Sequence, residues 1–138
     1  MLISESTQID KSSEIVWNHL KTLQDAEKYI PVVSKSFVIG SGIGTTRTCD
    51  IEMGEQKFQI KETLVEFDES GKSLTIQIND APPPMMNLLI DFFVKGNNEH
   101  SKILVSTESE NSQENTETIK GILSMICNGL KQFHEGNS

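Results

Sequence analysis

Arg47 and Glu62 are the two residues of this chain whose placement is most suggestive of chemistry. Between them Met53-Gly54-Glu55-Gln56 reads as a tight hairpin, and a two-residue turn at Gly54-Glu55 sets the partners on either side. Arg47 then faces Glu62, Cys49 faces Ile60 and Ile51 faces Phe58, while Thr48, Asp50 and Glu52 oppose Lys61, Gln59 and Lys57 on the other face. One face of the hairpin is thus apolar except for a single pair of opposite charges. Such charges are costly to take out of water alone, so they should pair. The pair is either a structural or rim-exposed bridge, or it presents polar atoms to something held against that face.

The other candidates resolve into ordinary structure. Gly40-Ser41-Gly42-Ile43-Gly44 invites a phosphate-binding reading, since glycine loops let backbone N–H groups approach a phosphate. A dinucleotide fingerprint needs a further glycine where Thr45 stands, followed by a helix, whereas TTRTCDIEM alternates as a strand does. Turn glycines are the simpler reading. His19, His100 and His134 lie far apart and not at ligand spacing with another His, Cys or Asp, so no metal is expected. Cys49 and Cys127 have no CxxC partner or adjacent histidine and read as small buried hydrophobes. There is no GxSxG elbow. No catalytic residue and no cofactor is assigned.

The elements that must position the hairpin follow from periodicity. LISESTQI (2–9) reads as a strand. Asp10 or Ser12 then caps a helix whose Val16, Trp17, Leu20 and Leu23 recur at helical spacing, ending near Leu23 because the polar stretch Gln24 to Lys28 intervenes and Pro31 disfavours helix at Ile30. A very short helix fits 25–29. Extended segments follow at 35–39, 45–53, 56–67, 73–79, 87–95 and 101–108, separated by Gly, Pro or Asn breaks. In 87–95, Leu88, Ile90, Phe92 and Val94 share one face, and Leu89 and Phe93 flank Asp91 on the other, an apolar outer surface suited to a weak homodimer. The polar stretch 106–118 reads as a hydrated loop, and Thr116 to Glu135 as a helix about 30 Å long.

The whole chain, 138 residues and 15.4 kDa, suits one domain that buries a core without disulfide or metal. Twelve basic against 20 acidic residues, net −8, argue against a nucleic-acid partner or an anionic membrane surface. The longest apolar run, Met85 to Val94, is interrupted by Asn87 and Asp91 and is too short for a membrane span. The polar start and the two unpaired cysteines fit a reducing cytoplasm.

Strand, helix, six further strands and a long amphipathic last helix is the order of an α+β helix-grip fold. SSEIVWNHL, YIPVV, SFVIGSGIGTTRT with Gly44 and Arg47, and KETLVEFDE with Glu62, Leu64 and Asp68 make the sequence resemble the START-like superfamily. That superfamily includes pollen-allergen-like proteins, polyketide cyclases and aromatases, and hormone receptors. The resemblance implies that residues 1–138 form a single ligand-binding domain. A seven-stranded curved antiparallel sheet would wrap the C-terminal helix around an apolar cavity for a lipid, sterol, polyketide or similar small hydrophobic molecule. The hairpin would line it through Arg47, Cys49, Ile51, Phe58, Ile60, Glu62 and Leu64. Ile76, Ile78, Ile90 and Phe92 would add the next two strands, and Ile119, Ile122, Leu123, Ile126 and Leu130 the helix. APPPMM (81–86) would sit near the mouth. The hormone receptors' longer gate loop is replaced by the Gly54-Glu55 turn, and Pro31 stands near where their pocket lysine falls. Within the superfamily a cyclase or dehydratase remains an alternative, as does a protein-interaction module with a filled core.

Overall fold

In the computed structural model, which describes residues 1–109 and 113–136, Ser12 is the residue that starts the first helix. Its hydroxyl accepts the Ile15 N–H at 3.1 Å, satisfying one of the free N–H groups of the first turn of α1 (Ser13–Leu20). The chain then departs from helix three residues before the expected end. The Lys21 N–H bonds the carbonyls of His19 and Trp17, and the Thr22 hydroxyl bonds His19 O at 2.7 Å. Leu23 follows in a left-handed conformation, φ +60°, with its side chain buried. Helical spacing marked Leu23 correctly as a core residue, but the local turn, not the helix, delivers it there.

Before α1 runs β1 (Leu2–Ile9), and after it come the short α2 (Ala26–Tyr29), β2 (Val33–Ile39), β3 (Thr46–Met53), β4 (Gln56–Asp68), β5 (Ser73–Asp80), β6 (Leu89–Gly96), β7 (Ser101–Glu108) and α3 (Gln113–Glu135). The strands form one seven-stranded antiparallel sheet in the order β1-β7-β6-β5-β4-β3-β2. The β3–β4 register is the one the hairpin turn dictates: Arg47 opposite Glu62, Cys49 opposite Ile60, Ile51 opposite Phe58. Gly54 supplies the turn with φ +61°. The sheet and its long C-terminal helix make the α+β helix-grip architecture.

Several boundaries differ from the sequence reading: β2 begins two residues before the expected 35, and β6 begins at Leu89, two residues after the expected 87. The segment 106–118 is not one loop: 106–108 belong to β7 and 113–118 to α3, while 110–112 lie outside the described residues. The first turns of α3 carry Gln113, Glu114 and Glu117, polar residues that favour helix and suit the positive end of its dipole, though they add nothing to the apolar stripe. The loop Gly40–Gly44 is a turn between β2 and β3, with Gly40 and Gly44 at φ +104° and +96°.

α3 packs against β1, β7 and α2. Its fully buried side chains include Ile119, Leu123 and Leu130. Trp17 seals the other side of the core, its ring 5.5 Å from that of Phe67 and its indole N–H donating to Glu69. On β6 the alternation holds: Ile90, Phe92 and Val94 are buried, while Leu89 and Phe93 face outward, 50% and 39% exposed.

Candidate functional site

Between β3–β6 and α3 the interior is not filled. A cavity of about 430 Å³ opens there, within the ~300–1,000 Å³ range of small-molecule sites. Alternate residues of β3 and β4 turn their side chains into it: Arg47, Cys49, Ile51 and Met53 from one, Gln56, Phe58, Ile60 and Glu62 from the other. Ile76, Ile78, Ile90 and Phe92 continue the wall, and Ile122, Met125 and Ile126 of α3 close it. The lining residues that are themselves exposed (Met53, Gln56, Pro82, Pro83, Thr118 and Gly121) mark the mouth. Arg47 lies at the other end of β3, about 20 Å away at the usual ~3.3 Å rise per residue, and is only 4% exposed.

The polar end is tightly organised. Arg47 Nε donates to Glu62 Oε1 at 2.6 Å, and Arg47 Nη1 donates to the Tyr29 hydroxyl at 3.0 Å and to the carbonyl of Leu23 at 3.3 Å. The left-handed turn at Leu23 is thus where the chain delivers a backbone acceptor to a buried guanidinium. Burial alone would lower the Arg47 pKa, but the Glu62 carboxylate and then Tyr29 outweigh it and hold the group charged, well above its ordinary value. Burial raises the Tyr29 phenol against the opposing pull of Arg47. The Cys49 thiol, 3.8 Å from Glu62 Oε1, is pushed up to about 12, chiefly by burial, so it stays protonated and a poor nucleophile. The arrangement holds and orients polar atoms at the base of an apolar chamber. Among the described residues no group of three His, Cys, Asp or Glu could hold a metal ion.

Of the residues singled out from sequence, Arg47, Cys49, Ile51, Phe58, Ile60, Glu62, Ile76, Ile78, Ile90, Phe92, Ile122 and Ile126 lie in this wall. Leu64, Ile119, Leu123 and Leu130 do not. Leu64 sits beyond the ion pair, level with Thr45, whose carbonyl accepts its N–H at 2.8 Å, and its side chain is buried in the core. Ile119, Leu123 and Leu130 are spent in the packed contacts of α3. Tyr29, Ile30, Val33 and Met125 also line the cavity, and periodicity does not single out Tyr29, since a lone tyrosine on a four-residue helix has no periodic partner to place it. Pro82, Pro83 and Pro84, from the segment expected at the mouth, do line the cavity.

A family model described as polyketide cyclase / dehydrase and lipid transport matches residues 2–113. The chain belongs to this family. The match covers every strand and stops where α3 begins. No curated protein sequence matches the chain. Among solved structures, an uncharacterized protein from Bacillus thuringiensis is 25% identical, with 96% of this chain and 97% of that one covered and a TM-score of 0.78. The Zhui aromatase/cyclase of a Streptomyces species is 10% identical over 98% and 93% of the two chains, TM-score 0.76. A point mutant of norcoclaurine synthase from Thalictrum flavum, in complex with a transition state analogue, is 16% identical over 100% and 96%, TM-score 0.74. These last two likenesses carry the fold. As in the sequence, no helix among the described residues is long and apolar enough to cross a membrane.

Proposed function

We propose that the protein binds a small hydrophobic molecule, a lipid, sterol, polyketide or similar compound, in the cavity between sheet and α3, with Arg47 and Glu62 as its polar contacts. The observation that carries this reading is the cavity's make-up: among the described residues a mostly apolar wall, polar at its exposed mouth through Gln56 and Thr118 and, at its base, at a buried ion pair beside the Tyr29 hydroxyl. Its size supports the same reading. At about 430 Å³ it falls within the ~300–1,000 Å³ of small-molecule sites. Apolar space on that scale is better explained by an occupant than by imperfect packing. Burial, which raises the Cys49 thiol to about 12 and also raises the Tyr29 phenol, leaves neither group activated for attack, and this supports binding over covalent catalysis by either of them. The family's description favours a second reading, a cyclase or dehydratase in which Glu62 moves a proton; it requires turnover that disappears in Glu62→Gln.

Native mass spectrometry of freshly purified protein, followed by organic extraction, tests the proposal. The expected result is an added mass that matches a compound recovered in the extract. Protein that carries no added mass and takes up no apolar probe would overturn it.

A further inference from the structure

The ion pair at the base of the cavity is not saturated. Arg47 uses Nε on Glu62 and Nη1 on Tyr29 and Leu23; among the described residues its Nη2 and the Glu62 Oε2 make no hydrogen bond within the protein. Neither atom is among the sealed polar atoms that lack a partner, so both retain accessible surface, and both residues line the cavity. The closed end therefore offers one free donor beside one free acceptor. The pair is also electrically balanced, and among the described residues no other Lys, Arg, Asp or Glu lines the wall.

Resting on the binding reading above, we infer that the cavity selects an uncharged amphipathic molecule whose head group both accepts and donates a hydrogen bond, such as an alcohol, phenol or primary amide, and disfavours a free carboxylate. A hydroxyl can accept from Arg47 Nη2 and donate to Glu62 Oε2, so its desolvation is compensated on both sides. A carboxylate gains the guanidinium but meets the Glu62 charge at close range. Its desolvation is then left without a net opposite charge to offset it. The chain's net charge of −8 acts in the same direction from a distance. The tail of such a ligand would run along the apolar wall from Arg47 toward Met53 and the exposed mouth.

The test is displacement of an uncharged fluorescent probe, N-phenyl-1-naphthylamine, from the wild type by decan-1-ol, its methyl ether, decanamide and decanoate at about pH 8, where a simple carboxyl is ionised. An apolar pocket with no polar selection ranks the ether above the alcohol, because the ether is the more hydrophobic. The inference requires the opposite order: alcohol and amide each about tenfold or more tighter than ether and decanoate, a ratio that corresponds to about 1.4 kcal/mol. Glu62→Gln should then tighten decanoate specifically. Decanoate or ether binding as tightly as the alcohol overturns the inference while leaving the binding proposal intact. Failure of the probe and all four compounds to bind overturns both. The wild-type ranking decides the matter even if Glu62→Gln does not fold.

Discussion

A Cβ added to Gly129 would collide with the carbonyl oxygen of Tyr29, so α3 and α2 meet backbone to backbone at this point. That contact helps to set the height of Tyr29, whose hydroxyl accepts from Arg47 at 3.0 Å. A missing side chain on one helix thus helps to fix the polar end of the cavity through another.

Gly129→Ala should therefore destabilise the protein by about 1–3 kcal/mol in urea unfolding. The sign is informative, because Gly to Ala in an unconstrained helix interior gains up to about 1 kcal/mol. Probe binding should weaken as Tyr29 shifts. A variant as stable as the wild type or more so would show that the two helices separate freely.

Arg47 and Glu62 are 4% and 10% exposed as side chains, so removing one partner strands a charge. Arg47→Leu or Glu62→Leu alone should each cost about 3–5 kcal/mol, and the double change much less. Equal single losses below about 1 kcal/mol are the signature of a solvated pair and would contradict the burial described above.

Stability should also depend on pH through His134, which is buried on α3 with its ring 5.5 Å from that of His19. Burial, then His19 and Lys11, push its imidazole down to about 4. His19 is lowered too, by burial that outweighs the attraction of Asp25, whose Oδ2 lies 3.3 Å from His19 Nε2 without hydrogen-bond geometry. The unfolded chain takes up these protons near pH ~6.5 while the folded chain resists them. The stability is fully present above ~6.5 and declines as pH falls toward 4. Asp68, Glu69 and Glu135 are held below the usual carboxylate range by hydrogen bonds led by those from Gly71, Lys21 and Asp10, so their losses begin lower. Urea titrations from about pH 7 to about 5 should show the decline, and His134→Leu should flatten it. An undiminished slope in that variant would assign the effect to other groups.

Much of this site could be read from residues alone because a two-residue turn leaves no freedom of register. Once Gly54-Glu55 is a hairpin, Arg47 must face Glu62, and the alternation of Cys49, Ile51, Phe58 and Ile60 fixes which face is inside. Periodicity fails where it identifies an apolar surface but not its neighbour. On α3, Ile122 and Ile126 line the cavity while Ile119 and Leu123 are consumed by packing, yet all four belong to one stripe. His134 is buried on the same helix with its Nε2 unpartnered, a position composition would assign to solvent. Leu23 and Tyr29 depend on a left-handed turn and a four-residue helix, which depend on tertiary contacts with Arg47 and Gly129 for their geometry.

The most direct measurement of the central claim is made on Ile126→Trp, because Ile126 is both in the buried face of α3 and in the cavity wall. Urea stability and binding of an uncharged apolar probe are to be measured together for this variant and the wild type. If the space holds a ligand, the indole fills it: stability stays within about 1 kcal/mol of wild type and probe binding, present in the wild type, is lost. If the interior is close-packed, overpacking costs about 1–3 kcal/mol or more. That loss, together with a wild type that binds no probe, would contradict the account.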